Sequence, residues 1–124
     1  MYELVVEEHF AAAHSLRNYN GDCENLHGHN WKIEVYVQSK ELNEIGLGID
    51  FRELKKIIKE VLRLLDHKFL NEIDYFKDKN PSTENISRFI YEQLKERLKK
   101  YNNLKIVKVV SWEEEKTGAA YFEE

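Results

Sequence analysis

The chain has 124 residues, 42% of them hydrophobic and 34% charged, which suits one globular domain spanning residues 1–124 and excludes a disordered chain. Nineteen basic and 23 acidic residues leave a formal charge of -4 with no dense Lys/Arg cluster, which argues against nucleic acid as a partner but leaves room for an anionic small molecule held by local charges. No stretch approaches the ~18 apolar residues of a membrane span, the start Met1-Tyr2-Glu3-Leu4 lacks a signal-peptide pattern, and Cys23 stands alone, so the expected setting is the cytoplasm and no internal disulfide can form.

In chain order, residues 2–14 alternate Leu4, Val6 and Phe10 against Glu3, Glu7 and His9, the period-two pattern of a half-buried strand. Residues 27–38 repeat it, with Trp31, Ile33, Val35 and Val37 on one face and Lys32, Glu34 and Gln38 on the other. After the Gly46–Gly48 turn, Asp50 followed by Glu53 predicts a capping box ahead of a helix carrying Phe51, Leu54, Ile57, Ile58, Val61, Leu62 and Leu65. Asn80-Pro81-Ser82 announces a second helix, with Ser82 as N-cap and Ile86, Phe89, Ile90, Leu94 and Leu98 on one stripe, ending near Tyr101. The β-branched segment Leu104–Glu113 turns at Lys116-Thr117-Gly118 into a last short strand through Phe122. The order β-β-α-α-β-β predicts an α+β fold, an antiparallel sheet with both helices on one face. Such a sheet keeps two free edges and an uncovered face, so self-association is expected.

The histidines carry the chemistry. His27 and His29 lie two apart and share a side with Trp31, Ile33, Val35 and Val37, with Gly28 between them leaving room for the rings. His14 shares the parity of Leu4, Val6 and Phe10, so all three imidazoles can meet at the end of the apolar face, whereas His9 falls on the polar side. Three neutral imidazoles make a zinc shell with a position open to water or substrate. The competing interpretation, a satisfied His-Gly-His turn beside a core histidine, is weakened by the twelve-residue polar loop between Ser15 and Leu26, of a kind that usually serves function.

Cys23 lies in that loop four residues before His27, in the polar setting Asn20-Gly21-Asp22, where a reactive thiol fits better than an inert core one. Asp66-His67 follows the first helix and reads equally as a proton-relaying pair or as compensation of the helix dipole. Glu113 reads either as the partner of a guanidine-like edge, accepting two parallel N–H bonds, or as part of a solvated acidic turn with Glu114 and Glu115.

Taken together, Phe10-Ala11-Ala12-Ala13-His14, Cys23-Glu24-Asn25-Leu26-His27-Gly28-His29-Asn30, Ile49-Asp50-Phe51, Leu65-Asp66-His67, Pro81-Ser82-Thr83-Glu84-Asn85 and Glu113 with Tyr121 resemble the 6-pyruvoyltetrahydropterin and 6-carboxytetrahydropterin synthase family. The resemblance implies a tunnelling fold whose subunits close their sheets into a three-membered barrel, two such rings stacking into a hexamer with active sites at subunit interfaces. It implies that His14, His27 and His29 hold Zn2+, that Cys23, Asp66 and His67 transfer protons, and that Glu113, with Thr83 and Glu84 nearby, binds the pterin. The implied substrate is 7,8-dihydroneopterin triphosphate. Three residues between Cys23 and His27, where pyruvoyl-forming enzymes typically have five, resemble the 6-carboxytetrahydropterin synthases of queuosine biosynthesis, which release acetaldehyde and triphosphate. Glu24 occupies the place of the glutamate found in relatives that cleave the same substrate to 6-hydroxymethyl-dihydropterin for folate, which keeps that activity as an alternative beside pyruvoyl formation. A non-catalytic zinc or pterin-binding module is the alternative of another class.

Overall fold

The structure is a computed structural model that describes residues 1–21 and 23–124; Asp22, part of the polar loop stretch noted above, lies outside them. Two thirteen-residue strands open the chain, β1 (Tyr2–His14) and β2 (His27–Ser39). They pair antiparallel along their whole length, from Tyr2 opposite Ser39 to His14 opposite His27. The predicted alternation holds. Val6, Phe10, Ala12 and His14 of β1 and Trp31, Ile33, Val35 and Val37 of β2 are buried on one side.

Helix α1 (Phe51–Leu62) starts at Asp50, whose carboxylate accepts from the Arg52 N–H. The predicted reciprocal bond from Glu53 is replaced by another: Glu53 accepts from the Tyr101 hydroxyl, tying the helix to the far end of the domain. Phe51, expected on the buried stripe, is 47% exposed as the first residue of α1, and the buried stripe begins at Leu54; Leu65, expected in the helix, is buried in the turn beyond it. A two-residue strand β3 (Lys68–Phe69) and two single 3-10 turns, Leu70–Glu72 and Asp74–Phe76, lead to α2 (Thr83–Arg97). Ser82 caps α2 by accepting from the Asn85 N–H, and a further 3-10 turn carries the chain to Tyr101. β4 (Leu104–Glu114) and β5 (Thr117–Phe122) close the sheet.

The strand order is β3-β1-β2-β4-β5. The four predicted strands form an antiparallel set, and β3, which the sequence reading lacked, adds a fifth that runs parallel to β1 at Ala12 and Ala13 only. Two residues are too short to leave a periodic signal. α1 packs on β1, α2 packs on β4 and β5, and the helices touch each other, so one core of buried aliphatic and aromatic side chains lies between the helices and one face of the sheet.

Register irregularities in β4 decide where its side chains point. Tyr36 faces Lys108 and Val37 faces Ile106, which leaves Val107 as an extra residue. Before this bulge Leu104 and Ile106 face the core; after it Val109 and Ser111 do, so the buried parity switches from even to odd. A second irregularity follows at once: Trp112 pairs with Gly118 and Glu114 with Thr117, leaving Glu113 unpaired. Gly118 is needed there, because a Cβ would come within 2.6 Å of the Trp112 ring.

Candidate metal centre

The open end of the β1–β2 pair gathers the three predicted histidines. His14, the last residue of β1, is 2% exposed, and its Nδ1 lies 2.7 Å from the carbonyl oxygen of Pro81. His27, the first residue of β2, places its Nδ1 2.8 Å from the Asn25 carbonyl oxygen. A carbonyl can only accept, so both rings carry a proton on Nδ1, and in the neutral form each turns a bare Nε2 lone pair inward. These two Nε2 atoms stand 3.1 Å apart. Two lone pairs at that distance repel unless a cation lies between them.

His29 completes the trio. Its ring stands edge-on to those of His14, His27 and Trp31, with centroids 5.3, 4.7 and 5.3 Å away. Among the described residues its Nε2 is buried without a hydrogen-bond partner, although Oε1 of Glu113 lies 2.8 Å from it. Burial lowers the His29 pKa below its ordinary value; Glu113 opposes this and the two neighbouring imidazoles reinforce it. The neutral, metal-ligating form is therefore favoured.

The sequence reading expected three donors, and the structure adds a fourth. Oε1 of Glu113 lies 3.6 Å from Nε2 of His14 and 3.8 Å from Nε2 of His27, and one donor atom from each of the four residues lies within 4.8 Å of all the others. The parity switch at Val107 is what turns Glu113, alone of the three consecutive glutamates, towards the helices. Its other oxygen, Oε2, accepts from the Thr83 hydroxyl at 3.2 Å, which sets the carboxylate beside the first turn of α2. Bonds of 2.0–2.1 Å to a tetrahedral zinc place neighbouring donors about 3.3 Å apart. The His14–His27 separation and the three from Glu113, 2.8–3.8 Å, bracket that value, and His29 stays within 4.8 Å of the other two rings' donors, so the residues present fit such an ion.

Gly28 is not what lets the rings converge. It faces the opposite side of the sheet, where a Cβ would meet only the Ala12 carbonyl oxygen, at 3.8 Å. The convergence comes instead from the His14–His27 register and from the carbonyls of Asn25 and Pro81.

The loop after His14 is strapped down by two asparagine side chains. Asn71 accepts from the Ser15 N–H and donates to the Ser15 carbonyl, and Asn80 does the same for Arg17. Each amide imitates a strand neighbour, satisfying backbone groups that have no sheet partner there. The Arg17 guanidinium adds a 2.6 Å bond to the Phe76 carbonyl, and the Ser15 hydroxyl donates to the Glu24 carbonyl. None of these anchors was foreseen: those made by Asn71, Asn80 and the Arg17 guanidinium join segments more than fifty residues apart, and the Ser15–Glu24 bond closes the loop on itself.

Comparison with known proteins bears on this arrangement directly. The sequence profile of the family described as 6-pyruvoyl tetrahydropterin synthase matches residues 3–124. The chain belongs to that family. Among its relatives, the 6-carboxy-5,6,7,8-tetrahydropterin synthase of Aquifex aeolicus is 32% identical over 124 residues, covering 82% of this chain and 76% of that protein. The dihydroneopterin monophosphate aldolase of Pyrococcus furiosus is 34% identical over 115 residues, covering 93% of this chain and 92% of that one. The solved structure of the Caenorhabditis elegans 6-pyruvoyl tetrahydropterin synthase superimposes with a TM-score of 0.81 at 25% identity, covering 100% of this chain and 98% of the other.

The remaining candidates of this family member are spread around the centre. Cys23 is exposed in the strapped loop. The Glu24 carboxylate accepts from the Leu16 N–H at 3.2 Å and lies 3.9 Å from Nδ1 of His27, on the outer rim of the trio. Glu84, in the first turn of α2, is exposed. Asp66 and His67 dock on the outer edge of β1: the Asp66 carboxylate accepts from the Ala11 N–H at 3.0 Å, and the His67 N–H donates to the Ala11 carbonyl. That is three residues, roughly 10 Å along the strand, from His14. The carboxyl of Asp66 is held below its ordinary value chiefly by the Ala11 N–H, with a further contribution from His67. His67 takes a left-handed backbone with φ of 58°, an unusual conformation for a side chain of its size, and its ring, 81% exposed, stays 3.0 Å from Asp66 through Nδ1. Among the described residues no hydrogen bond or ion pair links Cys23 to Asp66 or His67, whereas Thr83 is joined to Glu113 and Glu113 stands against the histidines.

Proposed function

We infer that the protein is a zinc-dependent 6-carboxy-5,6,7,8-tetrahydropterin synthase that converts 7,8-dihydroneopterin triphosphate and one water to 6-carboxytetrahydropterin with release of acetaldehyde and triphosphate, a step of queuosine biosynthesis. The observation that carries this reading is the convergence of three imidazole Nε2 atoms beside a carboxylate suited to a pterin edge. The three-residue spacing between Cys23 and His27 and the likeness to the Aquifex synthase support the carboxy branch.

His14, His27 and His29 would hold the zinc, which when bound supplies Lewis-acid polarisation of the substrate's side-chain oxygens. Glu113 would accept paired N–H bonds from the pterin, oriented by the Thr83 hydroxyl at the start of α2, with Glu84 at the rim of the same turn. Cys23 would take a proton from the substrate side chain. His67, with its tautomer set by Asp66, would return one. Because no hydrogen bond or ion pair joins Cys23 to His67 among the described residues, the complete site is assigned to the junction of two copies in a hexamer of stacked trimers. The outer edge of β1 before Ala11, and that of β5, offer the strand pairing such a ring needs.

A second reading rests on Glu24 and on the near full-length likeness to the Pyrococcus aldolase: side-chain cleavage to 6-hydroxymethyl-dihydropterin with Glu24 as the base. Mass spectrometry of the products formed from 7,8-dihydroneopterin triphosphate by the zinc-loaded protein separates these readings. A carboxylated tetrahydropterin with acetaldehyde is expected; a hydroxymethyl product moves the assignment to Glu24 and a pyruvoyl product to the third branch. No consumption of the triphosphate or of the corresponding monophosphate leaves a binding module and removes the enzymatic reading.

A further inference from the structure

Glu113 is placed to do two things that it cannot do together. Its Oε1 lies 2.8, 3.6 and 3.8 Å from the three histidine Nε2 atoms, at the fourth corner of the donor set, while its Oε2 is held by Thr83. Gripping a guanidine-like edge takes both oxygens in the plane of two parallel N–H donors. An oxygen bonded to the metal is not free for that grip.

We propose that Glu113 is an exchangeable fourth metal donor: Oε1 closes the shell in the ligand-free protein and leaves it when a pterin ring draws the carboxylate away. The proposal rests on the zinc and pterin reading of the site. Two features argue against the simpler idea that Glu113 merely neutralises a charged His29. Among the described residues His29 Nε2 has no hydrogen-bond partner despite that 2.8 Å approach, and the same Oε1 lies 3.6 and 3.8 Å from the Nε2 atoms of His14 and His27, whose Nδ1 atoms are the ones turned to carbonyl acceptors. Glu113 can also move, because its side chain is 32% exposed and it sits at an irregularity where β4 has lost its partner in β5.

The consequence is a coupling between ring and metal. If the ring removes a donor from the ion, it weakens metal binding, and by linkage the metal weakens ring binding by the same factor. The shell is closed while the site is empty and opens only for a ligand with the correct edge, which makes the carboxylate a device for substrate selection as well as an anchor.

The test uses the full-length, zinc-loaded protein and unsubstituted pterin (2-amino-4-oxopteridine) as the probe. In crystals without pterin, Oε1 of Glu113 is expected at about 2.0–2.2 Å from the zinc. With pterin bound, the carboxylate is expected on the ring and off the metal. In competition with a chromophoric chelator, saturating pterin should weaken zinc binding by the wild type several-fold, and Glu113→Gln should weaken it about 10- to 100-fold without further response to pterin. A pterin-free crystal with water in place of Oε1 overturns the proposal, as does zinc affinity that pterin leaves unchanged; these wild-type measurements stand even if the variant misfolds. Loss of the proposed reaction would show separately, as absent turnover of 7,8-dihydroneopterin triphosphate in a protein whose carboxylate still moves.

Discussion

Replacing His29 by alanine distinguishes a metal ligand from a core histidine, because the two roles predict different responses to zinc. In the metal-free protein the ring contributes edge contacts to His14, His27 and Trp31, and its side chain is 22% exposed. Against that stands a buried Nε2 with no hydrogen-bond partner among the described residues, which costs about 1–3 kcal/mol. Lost packing and relieved desolvation are of similar size, so His29→Ala should change metal-free stability by no more than about 1 kcal/mol. In the zinc-loaded protein the variant loses a ligand. If zinc then binds about 100-fold more weakly, the stabilisation lost at fixed free zinc is about 2.7 kcal/mol, or about 10 °C in Tm for a domain of this size. The assay is calorimetry of wild type and variant at equal protein concentration, with zinc and with chelator. Equal Tm losses in both conditions would mean that His29 is a packing residue, and the metal-centre reasoning would fail with it.

Cys23→Ala is expected to bind zinc with wild-type stoichiometry while product formation falls at least about 100-fold, in line with loss of a proton-transfer group; undiminished turnover in a steady-state assay would remove the role given to the thiol. Asp66 has a lowered pKa, so its contribution is full above its ordinary value of 3.8 and declines as pH falls through the folded value. Asp66→Ala should therefore cost about 1 kcal/mol at pH 7, with the difference from wild type narrowing below pH 3.8 in denaturant midpoints. Asn71→Ala removes both bonds to Ser15 and should speed exchange of the Ser15 amide by ten-fold or more, while amides in the centre of β2 keep their protection.

The histidine trio was legible because strand parity is a local rule that the long β1–β2 ladder obeys without a break from Tyr2 to His14. The same rule gave the buried faces, and cap chemistry gave the start of α2 at Ser82. Where a contact joins distant backbone, nothing in the sequence marks it: the carbonyl of Pro81 meets His14 across 67 residues, and any residue could supply that oxygen. Asn71 and Asn80 look like ordinary loop residues until the loop they clamp is in place.

Glu113 shows the limit most clearly. The run Ile106-Val107-Lys108-Val109-Val110 places apolar residues at both parities, so alternation alone cannot say which face holds the core. Only the extra residue at Val107 settles it, moving the buried set from Leu104 and Ile106 to Val109 and Ser111 and carrying Glu113 to the helix side. Deleting Val107 itself would straighten the strand and leave Glu113 on the core side. A strand that kept every residue but lacked the bulge would instead alternate strictly from Leu104 and Ile106, putting Glu113 on the open face and Glu114 at the core parity in its place, one position further along the strand. A carboxylate of the right kind would remain at the wrong depth. The bulge, rather than the richness of the segment in glutamate, is therefore what makes a metal-facing acid at this position.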